Sequence, residues 1–430
     1  MRTVRGARAL RLGLLRHAPG FRLLFLATLA SSIGTWLAFV ALVIDVFDRT
    51  DDANWVSALL IVEFLPLVVV GFFAGRLIDF TSRRSILVGA DLARAGVFAA
   101  LPFAGSALQI VLLALAAGIA TSFFRPAVYA GLPNLVADRD LPQANGILQT
   151  ADNLTWAVGS LAGGTLVATA GTDVAYWLNA ATFLVSAAFI VRIREDLEQA
   201  HVASMGRWRD VVAGLSTSVR SRPLVTVLVA WSIVMLANAG VNVAEVVLAK
   251  DVFDAGDFGF GLLVAATGVG LVIGSVAGGS WIEQRGMAVP YTVSIALMAV
   301  GFGAAAAAPN VWLAAVAVIV AGAGNGSAVV ANAVLVQRGA PDQMRGRAFG
   351  FIMSVGYGFL GVGMVAAGFL TDALGARTVW AISAGLLLLA SATGLVLLRG
   401  LRAEELGAAA GEPAVLPRRE REPAPEQRAL

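Results

Sequence analysis

Glu63 stands between Val62 and Phe64 inside an apolar run, with no basic residue within a helical turn. An ionisable side chain in such a run is costly to keep and is a functional candidate by default; a lone carboxyl there could carry a proton. Glu245 holds a similar position, and Asn238, Asn242 and Glu245 recur at helical spacing, so one helix face would turn two amides and an acid toward a polar cavity. Asp152 accompanies Gln149 and Asn153 in another run, and Arg125 in the run before it could serve as its counter-ion or hold an anionic substrate. Asp91 and Arg94, three apart, can pair on one helical face and neutralise each other. Asn325 and Asn332, seven apart, share a face and with Tyr357 could line the same cavity, or bond between helices. Trp36, Phe39 and Trp231 could wall a greasy substrate or face lipid. For each acid the plain alternative is a structural carboxyl bonded to a neighbouring helix.

These residues sit in a chain of 430 residues that is 58% hydrophobic and only 14% charged, with 47 glycines and a mean hydropathy of +0.80. About a quarter of residues are charged in soluble domains, so a water-soluble globular fold is excluded. There is no cysteine, and the two histidines are His17 and His201. Disulfides, thiolate nucleophiles and zinc sites of the usual ligands go with them, and no metal or cofactor is expected. No phosphate-cradling Gly-x-x-x-x-Gly-Lys-Ser/Thr loop is present, which points away from ATP and toward an ion gradient as the driving force.

A bilayer core needs about 20 mostly apolar residues per helix. Twelve runs of that length are found: Phe21 to Ile44, Trp55 to Gly75, Ser85 to Ala104, Gln109 to Gly131, Ala144 to Ala168 and Ala175 to Arg192, then Leu224 to Ala249, Gly259 to Ser280, Ala288 to Ala308, Val311 to Val334, Arg347 to Leu370 and Arg377 to Leu398. The expected fold is an all-α membrane protein of twelve transmembrane helices in two pseudo-symmetric six-helix bundles, residues 21–192 and 224–398. Residues 1–20 form a basic leading segment whose apolar continuation is too long for a signal peptide. Residues 193–223 are a central loop in which Trp208, Val211, Val212, Leu215 and Val219 mark a short amphipathic helix, a membrane-surface helix or a spacer. Residues 399–430 lack apolar periodicity and read as a disordered tail.

Arginine placement sets the orientation. Apart from Lys250 every base is arginine, and Arg2, Arg5, Arg8, Arg11, Arg16, Arg76, Arg83, Arg84, Arg139, Arg192, Arg194, Arg285, Arg338 and Arg345 fall in alternate loops of one side. The opposite loops hold Asp48, Asp51, Asp52, Asp173, Asp251, Asp254, Asp257 and Asp372. Short arginine-rich loops stay in the cytoplasm, so both termini are expected there, in a multi-pass plasma-membrane protein.

The two halves align at an offset of 204 without gaps, pairing Gly75 with Gly279, Asp79 with Glu283, Gly118 with Gly322, Gly159 with Gly363, Gly164 with Gly368 and Gly171 with Gly375. Same-direction repeats place a substrate site between the halves near the midplane.

Between the second and third runs stand Gly75, Asp79, Arg83 and Arg84, a glycine, an aspartate four residues on, and a basic pair beyond it. This spacing resembles the loop 2-3 motif of the major facilitator superfamily, echoed at Gly279, Glu283 and Arg285. The Asp91-Leu92-Ala93-Arg94-Ala95 run, Leu132-Pro133-Asn134-Leu135-Val136 and Ala144-Asn145 are similar to the enterobactin-exporter and macrolide-efflux branch. The resemblance implies a cytoplasmic gate in which Asp79 meets the positive start of the eleventh helix at Arg345 and Arg347. The loop departs from the pattern at Phe80, where a base is usual, and at Ser82, where glycine is usual. In the fifth run Gly159, Gly163 and Gly164 resemble the glycine-proline element of exporters, with Ser160 in place of its proline; the glycines also suffice as a close-packing surface.

The resemblance implies a monomeric, proton-coupled antiporter that exports a small amphipathic molecule, a drug, siderophore or secondary metabolite, by alternating access. Its partners would be that substrate, protons and the bilayer, with no nucleic acid. A facilitator-type importer or lysophospholipid transporter on the same fold is the nearest alternative. A non-transporting receptor or a membrane-embedded lipid enzyme is more remote.

Overall fold

The computed structural model describes residues 13–80, 82–195, 197, 219, 221–285, 287–340 and 344–399, without the side chains of residues 67–80, 138, 142, 279, 280, 282–285 and 345–347. The central-loop helix expected at Trp208 to Val219 and the tail lie almost wholly outside the described residues.

Twelve long helices are described: α1 (Pro19–Thr50), α2 (Ala53–Phe80), α3 (Arg83–Ala100), α4 (Ala107–Gly131), α5 (Leu141–Ala170), α6 (Thr172–Val191), α7 (Arg222–Val247), α8 (Gly256–Arg285), α9 (Ala288–Ala307), α10 (Val311–Gly339), α11 (Arg345–Leu374) and α12 (Ala376–Leu398). No strand occurs among the described residues. Ten of the helices are long and apolar enough to cross a membrane; α2, with its side chains described only in part, and the more polar α5 are the others.

The local reasons for these elements repeat at the predicted offset. Ser106 caps α4 through the Gln109 N–H, and Asn310, 204 residues on, caps α10 through the Leu313 N–H at 3.0 Å. α5 turns into α6 at Gly171 (φ 83), and α11 into α12 at Gly375 (φ 81), left-handed positions where a Cβ would be strained.

Packing repeats as well. α1 lies against α5 and α6, α3 against α4 and α6, and α2 against α4; each pair recurs six helices on, as α7 with α11 and α12, α9 with α10 and α12, and α8 with α10. Individual contacts follow. A Cβ at Gly118 would meet the Val62 carbonyl and Pro66, and one at Gly322 the Thr267 carbonyl and Gly270, so small residues admit α2 and α8 at equivalent points.

Two seams join the halves, α5 with α8 and α2 with α11, and they exchange under the same operation. At the first, Gly164 lies against Gly261 and the Asp257 carbonyl; at the second, Gly368, its partner by offset, lies against Asn54 and Ser57. The two sets of six helices therefore meet along two seams, each with a glycine in close contact across it.

Candidate functional site

A cavity opens in the first half between α1, α3, α4 and α5. α1 contributes Thr28, Ser31, Ser32, Thr35 and Trp36, which recur every third or fourth residue and so line one face. α4 adds Thr121, Phe124, Arg125 and Tyr129, and α5 adds Leu148, Ala151 and Asp152. Arg125 and Asp152 form an ion pair across α4 and α5, and the Ser32 hydroxyl donates to Asp152 Oδ1 at 2.8 Å. Two sequence candidates are thus brought together, with a serine that orients the acid.

Behind this wall Asp91 and Arg94 pair as their spacing predicts, almost fully buried. The Arg94 guanidinium lies 4.2 Å from the Phe124 ring centroid and 4.3 Å from that of Phe183. Aromatic faces on both sides compensate part of the cost of burying the cation.

Trp36 stacks on Trp156 of α5 at 4.4 Å with 6° between planes, and Phe39 meets Trp36 edge-on at 5.6 Å. Gly159 makes room for this stack, since a Cβ there would lie 2.9 Å from Trp36 Cβ; Gly163 admits the backbone of Leu37 in the same way. The exporter-like glycines therefore serve two neighbours: Gly159 and Gly163 seat α1, and Gly164 seats α8 of the other half.

In the second half two buried polar candidates, Glu245 and Asn332, have side-chain atoms with no hydrogen-bond partner among the described residues. Asn238, Asn242 and Glu245 share the side of α7 opposite the exposed Val229. Glu245 is 7% exposed and its Oε1 has no hydrogen-bond partner. Asn332 of α10 is 3% exposed with neither amide atom bonded, while Asn325, a half-buried residue two turns earlier, keeps the same helix face. Buried polar atoms are bonded in the great majority of cases, so these two groups stand out on the interior faces of α7 and α10. Glu63 lies in register with Val56, Leu59 and Leu60, all fully buried, and so on the interior side of α2. Tyr357 is set apart: with Leu360 and Met364 it faces Ile61, Phe64 and Leu65 in an apolar groove at the α2–α11 seam.

At the arginine-rich end, Arg83 Nη1 donates to the Ala130 and Leu197 carbonyls (3.0 and 2.8 Å) and Arg84 Nη2 to the Glu195 carbonyl (3.0 Å). Both bases tie the start of α3 to the segment after α6 within their own half. The gate side chains Asp79, Glu283, Arg345 and Arg347, and the positions Gly75 and Gly279, lie outside the described side chains.

At the acid-rich end the halves are strapped together twice. α7 finishes in a π turn, Leu248–Val252, that carries Lys250, whose ammonium pairs with Asp48 of α1 and with Asp257 of α8 (2.7 Å). Asp372 of α11 accepts from the Ala53 backbone N–H of α2 at 3.2 Å and from the Asn54 side-chain amide. Neither strap was foreseen from sequence, because its partners stand hundreds of residues apart. The hydroxyl row on α1 also went unnoticed, although its 28, 31, 32, 35 spacing is a legible helical stripe.

A model of the transmembrane secretion effector family matches residues 13–416. The multidrug efflux pump Tap of Mycolicibacterium fortuitum is 28% identical over 392 residues, covering 87% of this chain and 94% of that protein. Tap of Mycobacterium tuberculosis (strain ATCC 25618 / H37Rv) is 27% identical over 382 residues, 84% of this chain and 88% of that one. Among solved structures, a mutant form of the nucleoside transporter NupG superposes with a TM-score of 0.74 at 14% identity, covering 88% of this chain and 100% of that one.

Proposed function

We propose, for a chain that belongs to the transmembrane secretion effector family of major facilitator transporters, proton-driven export of small amphipathic compounds from the cytoplasm. Efflux fits the Tap pumps that resemble it along most of their length. The observation that carries proton coupling is Glu245, a buried carboxyl with an unbonded oxygen, in register with two amides on the interior side of α7. A group so placed can exchange a proton as water reaches it from one side and then the other, and Glu63 and Asp152 are its companions in the first half.

The Arg125–Asp152 cavity, walled by the Trp36–Trp156 stack, receives the substrate; the Lys250 and Asp372 straps close the acid-rich end. Arginine-rich loops support an orientation with that end outside the cell and both termini inside, for a chain that works as a monomer with all twelve helices across the plasma membrane. The two glycine seams are the surfaces on which the halves rock. On the arginine-rich side the Asp79 latch would close when the straps open.

The test is transport in proteoliposomes with an imposed pH gradient, screening hydrophobic cations, macrolides and siderophores. An outside-acid gradient should drive export, and Glu245→Gln should uncouple it, with Glu63→Gln and Asp152→Asn measured alongside. Substrate that crosses at the same rate with and without the gradient would instead mark a facilitator.

A further inference from the structure

The first-half cavity presents three charged side chains, and they are not equally available. Arg94 is almost fully buried, bonded to Asp91 and enclosed by two phenyl rings. Asp152 has one oxygen taken by Ser32 and the other by Arg125. The Arg125 side chain is 53% exposed, and among the described residues its one hydrogen-bond partner is Asp152, through Nη2. A guanidinium has five N–H donors, so most of its donating capacity faces the cavity unspent.

The neutral groups of the wall have a matching bias. Thr28, Thr35 and Thr121 donate their hydroxyl protons to the carbonyls of Leu24, Ser31 and Ala117 at 3.0, 2.8 and 2.9 Å. Their oxygens then offer lone pairs to a ligand's hydroxyl or amino groups. Trp36, fixed by its stack on Trp156, supplies a flat surface beside them.

We infer that this wall selects organic acids: flat-ringed molecules whose carboxylate pairs with Arg125, whose ring lies along Trp36, and whose hydroxyl or amino groups donate to the threonines. The inference rests on the export reading for its purpose but not for its chemistry. A simple cation is selected against, because the acid on the wall is already bonded through both oxygens, one of them to a guanidinium.

Binding of three probes that share one ring system tests this on the full chain in detergent by calorimetry: 2-naphthoate, neutral 2-naphthamide and cationic 2-naphthylmethylammonium. The expected order on the unmodified chain is the acid at least tenfold tighter than the amide, with the cation weakest. Arg125→Gln should bring acid and amide to within about twofold, and Arg125→Lys should restore part of the preference. Trp36→Leu should weaken acid and amide alike. The cation binding tightest, or the three probes binding equally, would overturn the inference, and that ranking is read on the unmodified chain even if a variant misfolds. Binding needs no gradient, so the two readings fail separately. A chain that selects the acid yet moves nothing in liposomes refutes export alone; one that exports cations and ignores the acid refutes acid selection alone.

Discussion

Gly164 of α5 and Gly261 of α8 meet backbone to backbone across the two halves: a Cβ on Gly164 would lie 2.8 Å from Gly261 Cα, and one on Gly261 2.7 Å from Gly164 Cα. Real Cβ atoms do not approach backbone so closely, so the seam can close fully only with glycine at both positions. Gly164→Val should therefore hold the halves apart at this end and lower transport at least tenfold. Gly146→Ala, at a glycine of the same helix where a Cβ meets nothing within 4 Å, should leave transport within twofold. Parallel transport assays on the two variants, at matched expression, decide the point.

The Lys250 strap makes a prediction about conformation rather than rate. Removing its charge in Lys250→Met gives up an ion pair worth about 0.5–1 kcal/mol, enough to raise the open population roughly two- to fivefold. The chain has no cysteine, so a single Ser57→Cys, buried against Gly368 at the neighbouring seam, reports opening directly. Its labelling by an impermeant maleimide should rise by that factor in Lys250→Met. Unchanged labelling would mean the strap does not hold this end.

Asp91 and Arg94 should behave as a buried pair. Truncating one partner, as in Arg94→Met, strands an uncompensated carboxyl between helices and should cost about 3–5 kcal/mol, whereas Asp91→Leu with Arg94→Met together should recover much of it. Thermal unfolding of the single and double variants makes the comparison; a double variant no more stable than the worse single one would show that the pair is not an isolated unit.

Glu63 and Glu245 divide the coupling question between the halves. If Glu245 carries the proton, Glu245→Gln should bind substrate normally and lose the dependence of export on an outside-acid gradient, while Glu63→Gln retains it. The opposite split would move the proton site to the first half, and two variants that both stay coupled would leave these carboxyls with a structural role.

The length and number of the apolar runs made the helices readable, and the glycine offset made the duplication readable, because both depend on spacing along one chain. Gly171 and Gly375 show how far this reaches, pairing in sequence and taking the same positive φ in space. Asp91 with Arg94 was readable for the same reason, being one turn apart. Arg125 with Asp152 was half readable: the two residue types invited pairing, but they stand 27 positions apart on different helices. Lys250 with Asp48, at a separation of 202, carried no local signal, since neither residue has a periodicity that points at the other. Nor did sequence distinguish Tyr357, at a seam, from Asn332, in the interior, because only packing decides which face of a helix meets which neighbour.

Asp372 touches the first turn of α2 where a helix most needs an acceptor. The opening N–H groups of a helix have no partner within it. Asp52 takes the Asn54 N–H at 2.7 Å, while the Ala53 N–H is taken by a carboxylate from the other half of the molecule. The helix therefore has a complete cap only while the two halves are together. Parting them would strip one capping partner, a loss of about 0.5–2 kcal/mol, and let the first turn of α2 fray. Part of the resistance to opening would then be stored in the winding of a helix end, so that movement between rigid bundles would be felt as local melting at Ala53.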